Sequence, residues 1–142
     1  MTDYKLDNAS SIISLDPKWP LSLKEEFANA VENGHVGMSL ISTSERVRIW
    51  HIALAPGDRL PVHKHVLDDF WTALSNGKGR LHFHDGRTVE HDYFFGETLH
   101  SKYPRGKFMM HDLENIGETE LRFITVEFLN SENAPLNLKI DQ

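Results

Sequence analysis

The chain has 142 residues, no cysteine, and a net charge of −6 from 15 basic and 21 acidic side chains. That length predicts one domain, and the acidic balance argues against nucleic acid or an anionic membrane as a partner. Without cysteine there are no disulfides, thiolate zinc sites, iron–sulfur clusters or thiol nucleophiles, so nitrogen and oxygen must hold any metal.

In chain order, residues 1–8 lack the basic and apolar pattern of a signal peptide. No run approaches the length of a membrane span, and a cytoplasmic protein is the expectation. Asp16-Pro17 and Trp19-Pro20 predict an extended or turning path. Ser22, Leu23, Lys24 and Glu25 read as a capping box with Ser22 as N-cap. It predicts a helix to about Glu32, stopped by Asn33-Gly34, with Leu23, Phe27, Ala30 and Val31 as its buried stripe. Beyond this the signal is β. Strands are predicted over 36–41, 46–54, 70–74, 80–84, 88–93, 108–111 and 121–128. Asp85-Gly86 marks a short hairpin. Many short strands joined by Gly-rich turns indicate an all-β sandwich or barrel. The tail over 130–142 is polar except for Leu136, Leu138 and Ile140, and it predicts an added edge strand.

The segment 57–69 reads G-D-R-L-P-V-H-K-H-V-L-D-D. In an extended strand His63 and His65 point to one face, and Asp69 has matching parity. Two histidines and a carboxylate on one side of a metal leave the other side open, as in non-haem iron(II) oxygenases. His111 follows further on in H-D-L-E-N. His82 and His84 form a second close pair with no carboxylate or Pro-Gly turn at metal-site spacing, and they read as structural.

These residues resemble the two motifs of the cupin superfamily, in the form found in small single-domain bacterial cupins. Gly57, His63, His65, Asp69 and Gly77 match the first motif; Gly96, Pro104, Gly106, His111 and Asn115 match the second. The resemblance implies a double-stranded β-helix (jelly-roll) barrel with a short N-terminal helix. It also implies a metal held by His63, His65, Asp69 and His111 inside the barrel. Asp69 stands where the family usually has Glu, and Asp68 beside it is an alternative. Four residues separate Gly106 from His111, where the family usually has two, and His100 is an alternative third histidine. The chain then divides into an N-terminal extension (1–45) whose helix and first strand pack on the barrel, the barrel itself (46–128) and a C-terminal tail (129–142). A homodimer is expected from the same resemblance.

Iron(II) is the first expectation for such a site, and zinc, manganese, nickel and copper accept the same donors. A small organic acid or carbonyl compound is the expected substrate, with dioxygenation the expected reaction. The alternatives are an isomerase, lyase or hydrolase on the same barrel, or a barrel that binds a small ligand without turnover. Trp71 shares the parity of Asp69 and is a candidate to line the cavity. Arg48 shares a face with Trp50, Ile52 and Leu54; facing inward, it would hold a substrate carboxylate.

Overall fold

The computed structural model describes residues 9–139. Its elements in chain order are α1 (Leu21–Asn29), β1 (Ser39–Thr43), β2 (Val47–Leu54), β3 (Arg59–His65), β4 (Asp69–Ala73), β5 (Gly77–His82), β6 (Thr88–Tyr93), β7 (Thr98–Ser101), β8 (Met109–Asn115) and β9 (Leu121–Phe128). All pairings are antiparallel, in a five-stranded sheet ordered β1-β2-β9-β4-β7 and a four-stranded sheet ordered β3-β8-β5-β6.

Period-2 alternation turns one face of each sheet inward. On β9, Leu121, Phe123, Thr125 and Glu127 are buried; on β2, Trp50, Ile52 and Leu54 are buried. They meet Leu60, Leu81 and Leu113 of the other sheet in one core between the layers. A smaller cluster of Trp19, Phe27, Ala30, Val62 and Met110 fixes the N-terminal segment and α1 to the outer face of the four-stranded sheet.

β6 and β9 coincide with the predicted strands, β1, β2, β4, β5 and β8 shift by up to four residues at their ends, and β3 was not among the predicted ranges. β7 was not predicted: its four residues T-L-H-S are too short and too exposed to carry a pattern. The capping box does not form. Pro20 is the N-cap, with φ −53° and ψ 145°, and no side chain caps the helix. The Pro20 carbonyl accepts the N–H groups of Leu23 and Lys24, which places Ser22 inside the first turn. The helix ends at Asn29, so Val31 falls beyond it and is 39% exposed.

The tail forms no strand over 130–139, and Ile140 lies outside the described residues. Pro135 lacks the N–H that a ladder needs, and Asn133 diverts the chain. The Asn133 amide donates to the carbonyls of Val66, Tyr103 and Pro104, and its Oδ1 accepts the Gly106 N–H. The tail is therefore a strap that joins the loop after β3 to the loop before β8.

Phe27 is completely buried, and truncating such a ring costs about 3–5 kcal/mol. Phe27→Ala should lower the free energy of unfolding by that amount, checked by equilibrium urea unfolding followed by tryptophan fluorescence.

Candidate metal centre

β3 delivers His63 and His65 two residues apart, so both imidazoles enter the interior. β8 lies beside β3 with His111 directly opposite His63 in register. The extra residues before His111 are absorbed outside the site: Lys107 closes a turn onto Pro104, and Phe108 pairs with Ser10. Gly106, at φ +80°, opens that turn in a conformation that favours glycine.

The three rings converge. Centroids lie 5.0 Å apart for His63 and His65, 4.7 Å for His63 and His111, and 5.2 Å for His65 and His111. One nitrogen from each falls within 4.8 Å of the other two, close enough to share one ion. His63 and His65 are 1% and 4% exposed.

Hydrogen bonds fix two of the tautomers. Nδ1 of His63 lies 2.9 Å from the Pro61 carbonyl, and Nδ1 of His65 lies 2.8 Å from Oδ2 of Asp69. A carbonyl or carboxylate oxygen only accepts, so each Nδ1 carries the proton and each Nε2 keeps its lone pair. Metal-binding histidines are held in this way. Nε2 of His65 and Nδ1 of His111 are buried without a hydrogen-bond partner. Buried polar atoms left this way are rare, and a cation at the centre of the three rings would satisfy them. The donor set fits a divalent transition metal.

Burial keeps the imidazoles neutral. It pushes His65 down to about 4. Burial, followed by the charge of His65, pushes His63 down to about 3. Burial and the two neighbouring rings hold His111 well below the ordinary histidine range.

Asp69 takes a different place from the expected one. It is 3% exposed, and its carboxylate abuts His65 from behind; the group of candidate ligands is His63, His65 and His111. Its hydrogen bond to Nδ1 orients the His65 ring. Asp68 accepts the Tyr103 N–H, and its own N–H donates to Ser131. His100 is exposed on the outer face of β7 against Phe70. His82 gives Nδ1–H to the buried Asp112, and Nδ1 of His84 accepts the Met110 N–H. Neither belongs to the group of three converging rings.

Asn115 organises a turn. Its amide donates to the carbonyls of Leu54 and Thr119, and its Oδ1 accepts the Gly117 N–H. The residues just before β9 are thereby tied to the end of β2.

A cavity adjoins the rings. The volume that water centres can occupy is about 40 Å³, and one water needs roughly 10–15 Å³ on that measure. Trp71, Tyr93 and Phe123 form an aromatic wall with edge-on contacts of 4.9–5.7 Å. Ser101, Tyr103 and Thr125 add hydroxyls, and among the described residues no lysine or arginine lines the space. Tyr103 lies nearly parallel to His65 at 6.3 Å. Arg48 has the inward parity but stands opposite Glu127 at the end of the sheet, outside the cavity lining.

Glu127 is a site-adjacent residue that the sequence reading missed. It is 2% exposed, lies opposite Asp69 in register, and accepts Nε1–H of Trp50 at 2.8 Å. Burial raises its carboxyl above the ordinary range. The available signal was parity: a carboxylate in line with Leu121 and Phe123 has to face inward.

A family model described as auxin binding protein matches residues 26–123, more than half of the chain. The chain belongs to this cupin family. Solved structures agree in fold. A cupin domain from Bordetella pertussis Tohama I is 22% identical with a TM-score of 0.55, over 63% of this chain and 88% of that one. A protein with a double-stranded β-helix domain from Klebsiella pneumoniae is 22% identical with a TM-score of 0.51, over 70% and 76%. An RmlC-like cupin from Methanocaldococcus jannaschii is 21% identical with a TM-score of 0.50, over 67% and 75%. No curated protein matches the chain. Among the described residues, no helix is long and apolar enough to cross a membrane.

The depressed histidines set the acid stability of the cupin without metal. The unfolded chain takes up protons near pH 6.5, while the folded chain resists them down to about pH 4 at His65 and about pH 3 at His63. Stability is therefore full above about pH 6.5 and falls as pH drops toward those values. Urea midpoints of chelated protein should decline across this window, and His111→Phe should flatten the decline.

Proposed function

We propose that this cupin is a metal-dependent enzyme of the dioxygenase type, acting on a small carbonyl compound or organic acid. The observation that carries the reading is the convergence of three neutral imidazoles, two buried and His111 half-buried, beside a small, largely apolar cavity. His63, His65 and His111 would hold the metal. Bound iron(II) would supply one-electron chemistry and open positions at which O₂ and substrate can meet.

The chain's own residues account for the rest. Three neutral ligands leave a dication's charge uncompensated, so the site favours an anionic or enolisable oxygen at the substrate's head. Asp69 holds the His65 proton on Nδ1, away from the metal. The Trp71, Tyr93 and Phe123 wall excludes water and orients an apolar body. Among the described residues the lining offers no lysine or arginine for a second carboxylate, which favours a substrate with one acidic or carbonyl group.

A second reading also has an observation behind it. The matching family is described as a binding protein, which fits a cavity that holds a small ligand without turnover. Zinc, manganese or nickel in place of iron would instead support Lewis-acid chemistry.

Elemental analysis of protein purified without chelator or affinity metal should give about one iron per chain, and added small monoacids or diketones should then drive O₂ uptake. Ligand binding without O₂ uptake would favour the second reading, and no metal after reconstitution would end the enzyme reading.

His63→Ala should abolish metal binding with little loss of fold. Asp69→Ala should weaken it by about 10–100-fold, the usual effect of removing a carboxylate behind a ligating histidine. Both are checked by metal titration alongside far-UV circular dichroism.

A further inference from the structure

Between α1 and β1 the chain reads N-G-H-V-G-M over residues 33–38. Backbone contacts pin both ends of this arm. The Asn33 carbonyl accepts the Lys64 N–H at 2.7 Å, and the Met38 N–H donates to the His51 carbonyl at 3.0 Å. Between the pins, residues 34–37 make no backbone–backbone hydrogen bond among the described residues. Val36 projects into the metal cavity and is 1% exposed; among the described residues it is the lining residue that comes from outside 46–128. His35, its neighbour, lines a separate cleft of about 350 Å³ together with Glu32, Asn137 and Lys139. Adjacent residues therefore face two different spaces, and a single thickness of chain divides them. Gly37 lets the arm lie that close to the barrel, because a Cβ there would stand 2.5 Å from Cβ of Trp50.

The C-terminal tail holds the arm from the cleft side. His35 donates Nε2–H to the Leu138 carbonyl at 2.7 Å and sets its ring edge-on to Trp50 at 5.5 Å. Leu136 and Leu138 pack directly on Gly34, where a Cβ would stand 3.0 Å from Leu136 Cβ and 3.3 Å from Leu138 Cδ2. The cavity behind the arm needs an opening. Its 40 Å³ holds roughly three waters, less room than an organic acid with an apolar body takes. Moving the arm breaks the His35 bond and no strand ladder, which places it among the easier local openings of the fold.

We propose that residues 34–37 are the gate of the metal cavity: the arm carries Val36 out toward the cleft to admit a ligand, and the C-terminal tail latches it shut through His35 and Leu138. The gate rests on the functional reading above in taking this cavity as the place where ligand binds. It makes the tail a control on entry, since whatever draws Leu136 and Leu138 off Gly34 also releases the wall beside the three imidazoles.

Modification of histidines by diethyl pyrocarbonate, read by peptide mass spectrometry on the metal-free full chain at neutral pH, tests this without metal or turnover. In wild type, His63, His65 and His111 should react far more slowly than the exposed His100. His35→Ala removes the latch bond, and Gly34→Ala pushes Leu136 away from outside the cavity. Each should speed the three cavity histidines about 3–10-fold, the weight of one ordinary hydrogen bond. The buried His84 and His91 should keep their wild-type rates, whereas general loosening of the fold would speed all five alike. Gly34→Cys with Leu136→Cys places one disulfide in a chain without other cysteines; the 3.0 Å between the Cβ positions is a small shift from the roughly 3.5–4.5 Å a disulfide takes. Oxidised, this pair should slow the cavity histidines below wild type, and reductant should restore them. Wild-type rates in both single variants, all five histidines speeding together, or an oxidised pair that reacts as fast as the reduced one would overturn the gate. Cavity histidines freed by His35→Ala in a chain that takes up no metal would keep the gate and end the metal reading.

Discussion

Three uncharged imidazoles packed ring to ring inside a closed barrel are the constraint on which the rest of this structure depends. With centroids 4.7–5.2 Å apart, the rings cannot all be protonated in an apolar interior without a large cost. Neutrality leaves lone pairs to direct inward, so the same burial that endangers acid stability prepares the site for a cation. Each surrounding contact serves to keep that arrangement. The Pro61 carbonyl and the Asp69 carboxylate take the outer protons of His63 and His65, and the β3–β8 register fixes His111 across from His63.

Behind the rings, stability and function draw on the same residues. Asp69 orients a histidine, and it also adjoins Glu127, a second buried carboxyl tied to Trp50. Burial raises the carboxyl of Glu127, and the neighbouring Asp69 charge adds to it in the same direction. Asn133 and Asn115 do comparable work with neutral amides, each gathering backbone groups from separate loops. The Asn133 strap holds the backbone of Tyr103, whose ring packs along His65. A residue thirty positions beyond Tyr103 in sequence thus bears on the wall of the metal site.

Charge is distributed with equal economy. Among the described residues, the rows of Ile49, Val126 and Phe70 and of His51, Ile124 and Thr72 on the five-stranded sheet hold no charged side chain, and Asp69 is the charged residue in the cavity lining. On the four-stranded sheet, Arg59 spans from Glu26 of α1 to Asp112. One sheet therefore carries the helix and the ion pairs, and the other turns a largely uncharged face outward.

By itself, the sequence determined the elements that depend on short-range periodicity. Strand parity put His63 and His65 on one face, and alternation placed the strands of the barrel, with Thr88–Tyr93 and Leu121–Phe128 legible to the residue. It also carried the resemblance to cupins, because the glycines and histidines of both motifs stand close along the chain. Only the tertiary structure decided matters settled by contact between distant segments. It set Asp69 behind His65, brought Glu127 beside Asp69, left Arg48 out of the cavity and turned the expected edge strand into a strap. The reason is physical: parity says which way a side chain points, but how far a carboxylate reaches, and what it meets there, depends on partners that folding alone brings together.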